Sequence, residues 1–261
     1  MKKDNTRQMK KNKIDIEIKK HYKNSDRFSR EELFQFYRKY EPDLKETTFR
    51  WRLYDLKKQG TIVAIKRGVF KIADKPIYTQ TLGEDLKELY KTATEAFFEE
   101  KFVIWSTAWI NEFSRHQTFN NLTILEAPVD MTESLFNVLK DYGVSNVFLK
   151  PTSEQIYNYA IGAEKPILIK NLILKAPIQN YEQFVIPTME KILVDLYCDN
   201  KTFYMYRGSE LEEIFRNALN KYSINYTKLL QYGRRRGKIN ELKQYLLENF
   251  KQEIGDILDD K

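Results

Sequence analysis

Imidazole and thiol groups, which dominate zinc and nucleophilic chemistry, are rare in this 261-residue chain. Two histidines, His21 and His116, and one cysteine, Cys198, are its only imidazole and thiol groups. No His/Cys pair has the spacing of a zinc site. A carboxylate nuclease centre needs an acidic residue on one strand and Asp/Glu-x-Lys on the next, so that a divalent metal is held. Glu126 and Lys150 fall in strand-like segments, but Phe148 stands where the second carboxylate belongs. Glu190 and Asp195 in PTMEKILVDLYCD form another acidic pair. Exposed or capping positions on a helix account for them better than catalysis does. The segment RGSELEE at Arg207 is similar to the Gly-Ser of a nucleotidyltransferase, yet the paired aspartates that should follow are missing. Ser209 reads more simply as the N-cap of the next helix. A GxSxG elbow, a Walker loop and a Rossmann fingerprint are all lacking, and 9 glycines are few for a phosphate-cradling enzyme. The chain is therefore expected to be no enzyme, and to need no metal or cofactor.

Polyanion binding is the chemistry for which the residues are suited. Met1 to Lys75 carries 22 Lys and Arg against 11 Asp and Glu, whereas Pro76 to Lys261 carries 22 against 26. The first quarter thus holds more than the whole excess of +7. A field that localised points to phosphate neutralisation, which supplies most of the affinity for nucleic acids. Within it, KETTFRWRLYDLKKQGTIVAIKRGVFKIA places Thr47, Trp51, Tyr54 and Lys58 on one helix face, flanked by Thr48 and Arg50. Lys66, Arg67 and Lys71 follow at the tip and edge of a hairpin. Threonine, arginine and lysine can reach base edges and phosphates. A second basic cluster, Arg234, Arg235, Arg236 and Lys238, lies in an otherwise acidic region. It is either a solvated loop between helices or a docking patch for an acidic protein or a further phosphate.

These residues need a scaffold, and the pattern supplies one. Lys13 to Asn24 places Ile14, Ile18 and Tyr22 at helical spacing. Ser29 with Glu32 forms a capping box before a helix over Arg30 to Tyr40, which buries Leu33, Phe36 and Tyr37. In the next helix Phe49, Leu53 and Leu56 share the inward face, and Gly60 stops it. A turn at Arg67-Gly68 would pair Ile65 with Phe70 and Val63 with Ile72. Three helices and a hairpin make a winged helix-turn-helix, whose third helix enters the major groove. The expected order is a disordered basic arm over residues 1–12, a DNA-binding domain over 13–75, a polar linker over 76–83 and a larger domain over 84–261.

The larger domain reads as α/β. A helix over Glu84 to Glu100 leads into strands at Phe102 to Ser106, Leu122 to Ala127, Asn146 to Lys150, Pro166 to Asn171 and Leu172 to Lys175. Short helices at Thr107 to Phe113 and Glu133 to Tyr142 separate them. After Tyr181 strands are expected to stop, leaving a helical bundle over Ile186 to Cys198, Ser209 to Tyr222, Asn225 to Arg235 and Ile239 to Phe250.

Three of these segments resemble AbiEi-type antitoxins, bacterial proteins encoded beside a nucleotidyltransferase-like toxin. They are the winged-helix run ending in RGVFKI, the strand-helix entry FVIWSTAWINEF, and PTMEKILVDLY. They occur in the family's order and span nearly the whole chain. The bulky Trp109 and Phe113, and the helix and basic arm before Ser29, depart from the family pattern. The resemblance implies a winged helix that binds promoter DNA and represses its own operon; a dimer on the double-stranded DNA is one arrangement such a module can take. It also implies a C-terminal domain that counteracts the toxin without a stable complex.

Lone Cys198, no apolar run of membrane length and no apolar segment behind MKKDNTRQMKKNK predict a cytoplasmic protein. The readings opposed to a repressor are a DNA-targeted nuclease with a variant metal site and a protein-interaction adaptor. Alternatively, Trp51 and Tyr54 would pack on the second domain rather than face DNA, and a winged helix can also serve as a protein-binding module.

Overall fold

The computed structural model of the chain describes residues 14–97, 100–116 and 121–254. Among these, 14–77 with 221–227 form one compact unit and the rest form a second. The arm expected over residues 1–12 lies outside the described residues. The fold is α/β, with an N-terminal winged helix-turn-helix followed by a larger α/β unit whose C-terminal part is helical.

In the first unit, helix α1 covers residues 14–21. It buries Ile14 and Ile18, and Tyr22 just beyond it, whereas Ile16, which breaks the stripe, is exposed. Helix α2 (Arg30–Tyr40) starts in the expected capping box. Glu32 N–H donates to Ser29 Oγ at 3.1 Å and Ser29 N–H donates to the Glu32 carboxylate at 2.6 Å. Helix α3 (Glu46–Lys58) follows. Strands β1 (Phe28–Ser29), β2 (Ile62–Lys66) and β3 (Val69–Ile72) form an antiparallel sheet in the order β1-β3-β2. Residues of all these elements enclose one core, with Phe28, Leu33, Phe36, Phe49, Leu56 and Phe70 at its centre. The two-residue β1 leaves no periodic signal, because only its pairing with β3 defines it.

Two local details correct or sharpen the sequence reading. The turn at Arg67-Gly68 forms, but the expected register does not. Lys66 pairs with Val69, Ala64 with Phe70 and Ile62 with Ile72, with a bulge at Ile65 between them. The extra residue reverses which side chains face inward, so Ile62 is buried and Ile65 is not. Gly60, after α3, has φ +68°, and a Cβ there would lie 2.8 Å from Ile77 Cδ1. The positive φ favours glycine, and an added Cβ would also displace the end of the exposed Ile77 side chain.

The second unit opens with residues 78–83. They have no regular secondary structure, but Tyr78 and Leu82 are buried and Gln179 Nε2 donates to the Tyr78 carbonyl at 3.0 Å. Helix α4 (Glu84–Ala96) buries Leu86, Leu89, Tyr90 and Ala93. Strand β4 (Val103–Ser106), a 3-10 helix (Thr107–Glu112), β5 (Thr123–Ala127), α5 (Thr132–Asp141) and β6 (Val147–Leu149) follow. The one-turn α6 (Ser153–Gln155) runs into a π-helical turn (Ile156–Ala160) before β7 (Ile167–Asn171). The sheet order is β4-β5-β7-β6, with β5, β7 and β6 parallel and β4 antiparallel at the edge. Val103 to Trp105, Ile124, Leu125 and Ile167 to Ile169 are buried, as strands covered on both faces must be.

Leu172 to Lys175 is not a strand. Leu174 and Lys175 form a turn, and Lys175 has φ +56°. Strands also continue past Tyr181: β8 (Ile178–Tyr181) pairs with β9 (Phe184–Pro187) as an antiparallel hairpin. FVIP joins directly to the apolar helix after it, so the local pattern merges the two. Helices α7 (Met189–Cys198), α8 (Ser209–Lys221), α9 (Tyr226–Arg235), α10 (Ile239–Asn249) and α11 (Lys251–Ile254) complete the described chain.

Candidate nucleic-acid interface and a buried charge network

Core packing decides which face of α3 is free. Phe49, Leu53 and Leu56 are buried, so the side chains on the opposite face point outward. Thr47, Thr48, Arg50, Trp51, Tyr54 and Lys58 are all exposed. Trp51 is 71% and Tyr54 53% exposed, with ring centroids 6.3 Å apart and planes at 82°. Arg50 remains in solvent, with Nε 3.8 Å from Glu46. Glu46 also accepts from Arg30. Arg52, on the same helix, is diverted to structure: it bonds Glu41 at 2.8 Å and stacks over Tyr37 at 5.2 Å.

At the wing, Arg67 is exposed at the turn and Gly68 has φ +78°. Lys66 ends β2 opposite Val69. Lys71 is half-buried and lies 3.5 Å from Asp74, a competing ion-pair partner. Thus α3 and the turn present hydroxyls, cations and an aromatic pair on elements held by one core. Such a surface can contact phosphates and base edges.

The second unit contains a feature the sequence reading missed. Lys191 on α7 is 1% exposed, and its ammonium lies 2.6 Å from Glu126 Oε1 and 2.5 Å from Asp195 Oδ2. Asp195 Oδ1 accepts from Tyr232 Oη at 2.8 Å and faces Arg236 Nη1 at 3.1 Å. Glu126 Oε2 is buried with no hydrogen-bond partner among the described residues. Beside them Lys170 bonds Asp199 and Thr202. Lys170 is the β7 register partner of Glu126, a place that Lys150 does not take. Lys150 follows β6 with φ +44°.

Glu190 and Asp195, expected at exposed or capping positions, are both buried. The reason is that α7 is enclosed over its whole circumference from Met189 to Leu196. Arg236 likewise leaves the expected basic patch and turns inward, while Arg234, Arg235 and Lys238 remain exposed. The clue in the sequence was Lys191 and Asp195, one helical turn apart within an apolar run.

Burial shapes the electrostatics of this cluster. It pushes the Glu126 carboxyl up, with the nearby Asp195 charge adding and Lys191 opposing. Burial alone would depress the Lys191 ammonium, but Asp195, Glu126 and Tyr232 hold it up. Desolvation also pushes the Tyr232 phenol up, and the Cys198 thiol up to about 11. Two carboxylates bracket an internal ammonium here, where a metal centre would hold a divalent ion. Both are anchored to fixed cations, which suits a structural role. Among the described residues, no group of three or more His, Cys, Asp or Glu is arranged to hold a metal ion.

Together these features define a winged-helix protein with a second, α/β unit of its own. The model of a family of unknown function (DUF6577) matches residues 48–252, and the chain belongs to that family. The match starts inside α3, so it takes in most of its exposed face, the wing and nearly all of the second unit. No curated protein matches the chain. No helix among the described residues is long and apolar enough to cross a membrane.

Proposed function

We propose that this protein is a cytoplasmic transcriptional repressor that binds duplex DNA through α3 and the β2–β3 wing. The observation that carries the reading is the outward set Thr47, Thr48, Arg50, Trp51, Tyr54 and Lys58 on α3, in the unit that also holds the Arg67 turn. The charge excess of the first quarter supports it. The similarity to AbiEi-type antitoxins supports autoregulation of a toxin–antitoxin operon. It also supports a second unit that counteracts a nucleotidyltransferase-like toxin. The exposed Trp51 and Tyr54 are what would favour an adaptor, which would use the same face for protein.

Gel-shift titration of the full chain against its own upstream DNA over a range of salt tests the reading. Binding should weaken steeply with salt, and Arg67→Ala should lower the slope by about 1. Arg50→Ala should cost ~1–3 kcal/mol on the operator and less on random duplex if it reads a base edge. Absence of any shift at low salt would rule out the DNA reading. Co-expression with the neighbouring reading frame tests the antitoxin role: growth unchanged by the second unit would remove it.

A further inference from the structure

Resting on the DNA-binding reading, we infer that Trp51 and Tyr54 form an apolar reader that selects thymine by its 5-methyl group. Both rings are largely exposed, at 71% and 53%, on a helix whose inward face is already filled. They meet edge to face, at 6.3 Å and 82°, so two ring surfaces form one angled apolar patch. Arg50 and Lys58, both exposed, lie on either side of the pair along the helix, and Arg67 is exposed at the wing turn. Ring faces carry negative charge density, which disfavours contact with phosphate oxygens. Phosphates therefore suit Lys58 and Arg67, and the apolar part of a base edge suits the aromatic pair. In the major groove the thymine methyl is the apolar group that distinguishes bases. Covering a methyl with aromatic carbon removes apolar surface from water on both sides, about fourfold in affinity per methyl covered.

The test uses the full chain and four duplexes of equal length at one salt concentration. They are alternating A·T, the same duplex with deoxyuridine for thymidine, alternating G·C, and its 5-methylcytosine form. The first should bind several-fold tighter than its uracil form, and 5-methylcytosine should strengthen the G·C duplex. The double variant Trp51→Ala/Tyr54→Ala should bind each duplex and its methyl-altered partner alike, with an unchanged salt slope. Both side chains are exposed, so its fold should persist. Equal wild-type binding with and without the methyl would overturn the inference while leaving the DNA reading intact. So would a methyl preference that survives in the double variant. Tighter binding to single strands, lost in the variant, would also overturn it and assign the rings to stacking on unpaired bases. No binding to any duplex at low salt would sink both readings.

Discussion

Replacing Lys191 with methionine should destabilise the protein strongly, because its ammonium bridges two buried carboxylates and is the one cation bonded to Glu126 among the described residues. Methionine keeps the aliphatic volume, so packing is largely preserved. Asp195 keeps Tyr232 at 2.8 Å and Arg236 at 3.1 Å. Among the described residues Glu126 keeps no hydrogen bond at Oε1 and has none at Oε2, leaving only the more distant charge of Lys170. The Glu126 side chain is only 6% exposed, so water does not compensate. Removing one partner of a buried ion pair costs about 3–5 kcal/mol. With a urea m-value of ~2–3 kcal/mol/M, the midpoint should fall by about 1–2.5 M. Urea unfolding of the full chain, followed by fluorescence, reads this well, because Trp105 is buried in the same unit.

Two further arms fix the cause. Glu126→Gln added to Lys191→Met should recover much of the loss, since a neutral amide needs no counter-charge. The loss should also shrink as pH falls. The folded-state Glu126 carboxyl sits above its unfolded value of 4.5, so the folded state binds the extra proton between the two. Stability therefore drops as pH rises through that window and is regained as pH falls. Removing Lys191 widens the window upward. A single variant within 1 kcal/mol of wild type, or no rescue by the amide, would refute the reasoning.

Three more expectations follow from single positions. Ser29→Ala removes the acceptor at the start of α2 and should cost ~1 kcal/mol in the same unfolding assay. Gly60→Ala forces a side chain into φ +68° and against Ile77, so a loss of at least ~1–2 kcal/mol is expected. The Cys198 thiol, pushed up to about 11 by burial, should alkylate far more slowly at pH 8 than a free thiol. Its rate should keep rising through pH 10, which a stopped-time iodoacetamide assay on folded protein would show.

Helix registers were legible in the sequence because they are local. Ser29 and Glu32 lie three residues apart and bond each other directly, and Phe49, Leu53 and Leu56 recur within one helical period. The Arg67-Gly68 turn was legible for the same reason. The exposed face of α3 followed from its buried one, so most of the candidate interface could be named before any coordinates. The register of β2 against β3 could not, because a single bulged residue at Ile65 changes the partner of every residue before it. Nor could the β8–β9 hairpin, whose second strand merges into an apolar helix. The charge network was hidden most deeply. Glu126 and Lys191 are 65 positions apart, and Tyr232 another 37 from Asp195. Periodicity shows that a charge sits in an apolar run. Only the packing of α7 against β5, and of α9 against α7, shows what neutralises it, because burial and pairing are properties of neighbours in space.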